Sequence, residues 1–265
     1  MLTFLLICLV SGAIGAILQG MVGIGTGIVV IPLLTFILPH YGIPSGLAVH
    51  IALATSMTVI VINTISALIS HYRRGNVQWV LCKQMVGFSA FGAFLGALVA
   101  TRISGEYLQL IFGIFMISLA TYMLLKKAKP DATAIPAPLP LLTQASAGLS
   151  IGFIGSIIGT GGATLMVPFL QAQKLKMRYA VGTATLMGLP ISLVGALTYI
   201  IAGLSTASTS VTIGYVHWPA FLAITAAGIF CAPLGAKLST VLPTRILRII
   251  FAFCMIAVGC KMVWL

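Results

Sequence analysis

The sequence predicts an all-α integral membrane protein made of two inverted-topology repeats. Each repeat is a broken, re-entrant helical hairpin followed by three transmembrane helices. Three observations predict this. The chain of 265 residues is 60% apolar and only 6% charged. A set of short motifs recurs in the same order half a chain apart. In each copy a glycine cluster interrupts the leading apolar run, "VGIGTGIVVIPLL" (22–34) in the first and "IGTGGATLMVPFL" (158–170) in the second.

A soluble domain carries about 25% charged residues, so the composition excludes an ordinary soluble protein. Mean hydropathy is +1.18. Long apolar stretches of this kind satisfy their backbone groups inside lipid as helices. The net charge of +12 does not point to nucleic acid. It arises because acids are nearly absent, Glu106 and Asp131 being the only two, while the cations fall in short clusters between apolar runs. Clusters of that kind set membrane orientation. The five cysteines (Cys8, Cys82, Cys231, Cys254, Cys260) form no CxxC pair and read as small buried hydrophobes. Residues 1 to 20 lack the positive n-region of a signal peptide and read as part of the mature fold.

The repeat is visible residue by residue. Gly12, Gly23, Gly25, Pro32 and Leu34 match Gly148, Gly159, Gly161, Pro168 and Leu170 at a separation of 136. Ala52 and Thr55 match Ala180 and Thr183 at 128. Gly75, Val77, Trp79, Gly96, Ala97 and Phe112 match Gly214, Val216, Trp218, Gly235, Ala236 and Phe251 at 139. Internal symmetry of this kind is typical of transporter folds. The first repeat covers 1–127 and the second 141–265, joined by a charged, then proline-rich linker over 128–140.

In the first copy an uncharged run over 2–38 precedes apolar segments at 45–70, 78–101 and 107–125. In the second, a run at 141–172 precedes segments near 179–203, 215–237 and 246–264. The later segments have the roughly 20 residues that one crossing needs. The first leading run would form a helix about 55 Å long, too long for one crossing. The arm after "GTGG" (159–162) spans only about 15 Å, half the hydrocarbon core. Both runs are therefore expected to turn back at their glycines inside the membrane, with at least the second arm a half-helix.

Loop charge then selects an orientation. A returning hairpin leaves three net crossings per copy, so the copies are inverted. That arrangement places 12 of the 14 Lys and Arg on the cytoplasmic side, with only Arg102 and Lys261 outside. Parallel copies would leave seven of 14 on each side, with no bias. Both termini are expected on the periplasmic face of a bacterial inner membrane.

Irregular backbone at membrane depth must be buried in protein or line a wet cavity. Two symmetry-related breaks should meet near the midplane, each starting a half-helix whose N-terminus offers free N–H groups and partial positive charge, an anion site. The expected substrate-binding set is Gly23, Gly25, Thr26, Gly27, Thr55, Ser56, Gly159, Gly161, Gly162, Ala163 and Thr183. Thr160 and Thr164 are further hydroxyl donors. Close packing of helices through small residues is the competing reading of the glycines, and helix-to-helix hydrogen bonding that of the hydroxyls. Gln19 and Asn63 are buried amides that need partners. His50 reads as a capped interfacial residue. His217, beside Trp218, reads as part of the interfacial belt.

The absences narrow the function. No apolar segment contains Asp or Glu, so a carboxylate proton relay or a carboxylate metal site cannot be built. There is no Walker motif and no cofactor motif. A secondary transporter for a small anion is the expected function, an anion channel the alternative, and an enzyme is not expected. The expected partners are the anion and the lipid bilayer, with no nucleic acid; a homo-oligomer is compatible with this.

The chain also resembles the sulfite exporter TauE/SafE family over nearly its whole length. "SGAIGAILQGMVGIGTGIVVIPLL" (11–34), "ALATS" (52–56), "RRGNVQW" (73–79) and "LGALVATRIS" (95–104) carry the resemblance in the first copy. "AGLSIGFIGSIIGTGGATLMVPFL" (147–170), "AVGTAT" (180–185) and "LGAKLSTVLP" (234–243) carry it in the second. The resemblance implies transport of small sulfur-containing anions of the sulfite, thiosulfate or sulfoacetate type. "GIGTG" (23–27) departs from the family in having Thr26 where members often continue the glycine run.

Overall fold

The computed structural model describes residues 2–22, 25–125, 140–207, 210–238 and 244–264. It is nearly all helical. The first copy holds α1 (Leu2–Val22), α2 (Gly27–Ile37), α3 (Ser45–Arg73), α4 (Trp79–Ala100) and α5 (Gly105–Leu125). The second holds α6 (Leu141–Ile157), α7 (Ala163–Ala172), α8 (Met177–Gly203), α9 (Trp218–Leu238) and α10 (Thr244–Trp264). A short hairpin of two-residue strands, β1 (Thr212–Ile213) and β2 (Val216–His217), precedes α9. Most of the 128–140 linker lies outside the described residues.

Among the described residues six helices are long and apolar enough to cross a membrane. They are α1, α3, α4, α5, α8 and α9. This is a multi-pass membrane protein. Both leading runs are broken at their glycines, and the helix after each break is short. α2 has 11 residues and α7 has 10, about 15–16 Å of helix each. Each carries a proline at its sixth position, Pro32 and Pro168.

The long helices α3 and α8 form the inside of the molecule. α3 is the most buried span, with 67% of its apolar window inside the protein. One apolar cluster gathers Leu34, Leu38, Leu53, Met57 and Tyr199 around α3. A second gathers Met85, Met166, Leu170, Met187 and Ile191 around α8. Helices α1, α4, α5 and α9 each present a row of exposed apolar residues, such as Leu6, Phe91, Ile114 and Phe230, on their outer sides.

Small residues set the helix contacts, as expected where lipid removes the hydrophobic drive to pack. α1 lies on α9 with Gly12 against Ile224 and Gly235 against Ile17. The pairing order makes these two helices run the same way. α4 lies on α6 in the same manner, with Gly92 against Leu149 and Gly96 against Phe153. α3 and α9 also run the same way, since Thr55, Asn63 and Ser66 meet His217, Gly228 and Ile229 in order. α5 and α10 are opposed, Gln109 bonding to Met262 while Gly113 faces Gly259. The Gly96–Phe153 and Gly235–Ile17 contacts join positions that correspond in the two copies.

A β-carbon at Gly96 or Gly235 would run into the facing carbonyl oxygen, whereas nothing lies within 4 Å of one at Gly87. Gly96→Leu and Gly235→Leu should therefore each lose about 1–3 kcal/mol or more to overpacking, and Gly87→Leu little. Thermal midpoints of the purified protein in detergent test this. Equal midpoints for all three variants would contradict the packing described.

Candidate functional site at the two chain breaks

The second break is built for a tight turn. Gly159, Gly161 and Gly162 have φ of +70°, +69° and +72°, a left-handed conformation that favours glycine. The Gly159 N–H donates to the Ser156 carbonyl and the Thr160 N–H to the Gly155 carbonyl. α7 then starts at Ala163; the Leu165 and Met166 N–H groups donate to the Gly162 carbonyl, and those of Ala163 and Thr164 have no intrahelical acceptor.

The first break is closed by side chains. Gly23 and Ile24 lie outside the described residues. Thr26 is the N-cap residue of α2, but its hydroxyl does not cap that helix. It donates instead to Gln19 Oε1, and Gln19 Nε2 donates to Thr64 Oγ1 at 3.0 Å. The chain Thr26–Gln19–Thr64 thus ties the break to α1 and α3 and supplies Gln19 with the partners its burial demands.

The two breaks touch. The Gly25 N–H donates to Thr164 Oγ1 at 3.4 Å. A β-carbon at Gly25 would run into the Thr160 carbonyl oxygen. One at Gly27 would lie 2.6 Å from Ser56 Oγ and 2.7 Å from the Gly159 oxygen. Ser56 Oγ donates to that same oxygen at 3.0 Å. Ile60, near the midpoint of α3, flanks both Gly25 and Gly161. The structure therefore brings together Gly25, Thr26, Gly27, Ser56, Gly159, Gly161, Gly162 and Ala163. No acidic residue stands in the first turn of α2 or α7, so no carboxylate opposes an anion there.

Thr55 and Thr183 are placed differently from the expectation. Thr55 Oγ1 accepts the His217 N–H at 3.0 Å, and Thr183 Oγ1 accepts the Gln78 N–H at 3.0 Å. These are equivalent contacts in the two copies. Each hydroxyl serves the start of a neighbouring helix, α9 or α4. His217 is also no belt residue. It is buried, packs its ring edge-on against Phe4, and its Nδ1 accepts the Ala220 N–H at 3.2 Å. His50 behaves as expected of a capped residue, its ring nitrogens at 3.2 Å and 3.0 Å from the Gly46 and Ile103 carbonyl oxygens.

Residues 7–262 match the family described as sulfite exporter TauE/SafE. The chain belongs to this family. Among its relatives, a probable membrane transporter protein of Haemophilus influenzae is 33% identical, covering 99% of both chains. A probable membrane transporter protein of Methanocaldococcus jannaschii is 31% identical over 95% of this chain and 92% of its own length. One of Bacillus subtilis, YunE, is 26% identical over 97% of both. No solved structure matches the chain at a significant level. TauE/SafE proteins are membrane transporters, and the relatives carry transporter names and not enzyme names.

The contact between the breaks itself needs Gly25, so Gly25→Ala should lower the thermal midpoint of the ligand-free protein; an unchanged midpoint would contradict the contact. Burial lowers the pKa of His217, and its Nδ1 acceptor role also requires a neutral ring. The folded state therefore resists protonation that the unfolded chain accepts. Stability should be fully present above about pH 6.5, the ordinary histidine value, and fall as pH drops below it. His217→Gln should flatten that part of the profile of thermal midpoint against pH. A slope that survives the substitution would assign it to another group.

Proposed function

We propose that this protein is a secondary transporter of small anions, of the sulfur oxyanion or organosulfonate class. It works by alternating access between two inverted repeats in a bacterial inner membrane, with both termini periplasmic. The observation that carries this reading is the contact between the two chain breaks beside the middle of α3. Two half-helices begin there, and helix N-termini present donors and partial positive charge without a charged side chain. The anion sits against this contact, among Gly25, Thr26, Gly27, Ser56, Gly159, Gly161, Gly162 and Ala163. Charge-assisted hydrogen bonds to such an anion contribute about 1.5–3 kcal/mol each.

The directions of the helices support the inverted arrangement. α1, α3 and α9 run one way. The short turns at 74–78 and 101–104 reverse the chain into α4 and back into α5, and α6 runs with α4. α5 and α10 are opposed. Each member of one copy then points against its counterpart in the other. This direction puts the ends that carry Arg73, Arg74, Lys174, Lys176, Arg178 and Lys237 on one face, as the positive-inside rule asks of a cytoplasmic surface. Equivalent hairpins facing opposite sides can exchange conformations, which is how such repeats alternate access. The family description names sulfite, an anion that the free N–H groups at a helix start can bind.

Uptake into proteoliposomes tests the proposal with sulfite, thiosulfate and sulfoacetate. Saturable flux with counterflow is expected for at least one of them. No flux of any, or unitary currents in a planar bilayer, would contradict it. A C-terminal reporter that is active only in the cytoplasm should stay silent; a strong signal would overturn the proposed orientation.

A further inference from the structure

The two copies differ in side-chain chemistry at their breaks. By the separations of 136 and 128, Gln19 corresponds to Gly155, Thr26 to Gly162 and Thr64 to Ser192. In the first copy these three side chains bond to one another in a closed chain. In the second, glycine replaces two of the three. A β-carbon at Gly155 would lie 2.6 Å from the Gly162 Cα, so the backbone itself fills the space. Ser192 is left without the partner that Thr64 has.

Ser192 is not alone. Ser156, Thr160 and Ser192 are all fully buried, and none of their hydroxyls has a hydrogen-bond partner among the described residues. The three come from three elements around one turn. Thr160 is in the turn. The Ser192 hydroxyl points at Gly161, where a β-carbon would collide with it. Ser156 ends α6, its hydroxyl 3.1 Å from where a Gly195 β-carbon would stand, one helical turn along α8 from Ser192. A buried hydroxyl with no partner costs about 1–3 kcal/mol, so three around one turn call for a ligand. The turn that holds Thr160 leads into α7, whose Ala163 and Thr164 N–H groups also lack intrahelical acceptors.

We infer that the side-chain donors to the transported anion come from the second copy alone. Ser156, Thr160 and Ser192 donate to it beside the N–H groups of Ala163 and Thr164, while Thr26–Gln19–Thr64 forms a closed wall opposite. This rests on the anion-transport reading above and narrows it. Three hydroxyls from three elements match in number a compact –XO₃ group, with three acceptor oxygens on one centre. A halide or a planar carboxylate uses fewer of them.

The test compares Ser192→Ala and Thr160→Val with Thr64→Val, using sulfite uptake into proteoliposomes and the thermal midpoint in ligand-free detergent. Ser192→Ala and Thr160→Val should each raise the half-saturation concentration for sulfite about tenfold or more. Their midpoints should be unchanged or higher, because the hydroxyl removed was unpaired. Thr64→Val should instead lower the midpoint, by stranding Gln19. Wild-type half-saturation in both Ser192→Ala and Thr160→Val would overturn the inference while leaving anion transport standing. So would a lowered midpoint in these two, which would mean that their hydroxyls are structurally paired. Failure of the wild type to take up sulfite, thiosulfate or sulfoacetate would instead overturn the transport reading itself.

Discussion

The fold depends on one constraint: backbone that leaves the helix inside a membrane must find its partners in protein. In the proposed arrangement this chain leaves the helix at two such places, after Val22 and between Ile157 and Ala163. It meets the constraint by setting one break against the other. Gly25 reaches Thr164, and Ser56 of α3 bonds the Gly159 carbonyl. Such close backbone approach needs the absence of side chains, so the glycines that interrupt the helices also let the breaks touch. Close packing is one use of these glycines, and the binding proposed above would be a second use of the same residues.

The near-symmetry of the molecule makes its asymmetries informative. Thr55 with His217 and Thr183 with Gln78 are one contact made twice, and so are Gly96 with Phe153 and Gly235 with Ile17. Against that background the breaks stand apart. One is tied by a glutamine between two threonines. The other has three left-handed glycines and hydroxyls that have no hydrogen-bond partner among the described residues. A transporter needs one part of its site to hold shape while another yields. The first break has side-chain bonds between its elements, and the second has three left-handed glycines; in the proposed mechanism the first would hold and the second yield.

Much of this was legible in the sequence. The motif separations gave the element pairs, and the length of each leading run against the thickness of a bilayer required the breaks. Their meeting followed from symmetry. Less legible was where each hydroxyl points. Thr55 and Ser56 are adjacent, yet a helix turns about 100° per residue, so one faces the start of α9 and the other the break. Ser192 attracts no notice as a lone serine in an apolar helix; only its correspondence to Thr64 marks it. His217 beside Trp218 has the composition of an interfacial belt, and the hairpin Thr212–His217 that tucks it inward is too short to leave a periodic signal.

The central claim is that the anion binds where the two breaks touch. Selenite has the shape and charge of sulfite and scatters X-rays anomalously, so crystals grown with it test the claim directly. The account predicts an anomalous peak beside the turn at Gly159–Gly162, within hydrogen-bonding reach of Ser192. A peak only at the basic loops, around Arg73, Lys174 or Lys237, with none between the breaks, would contradict it.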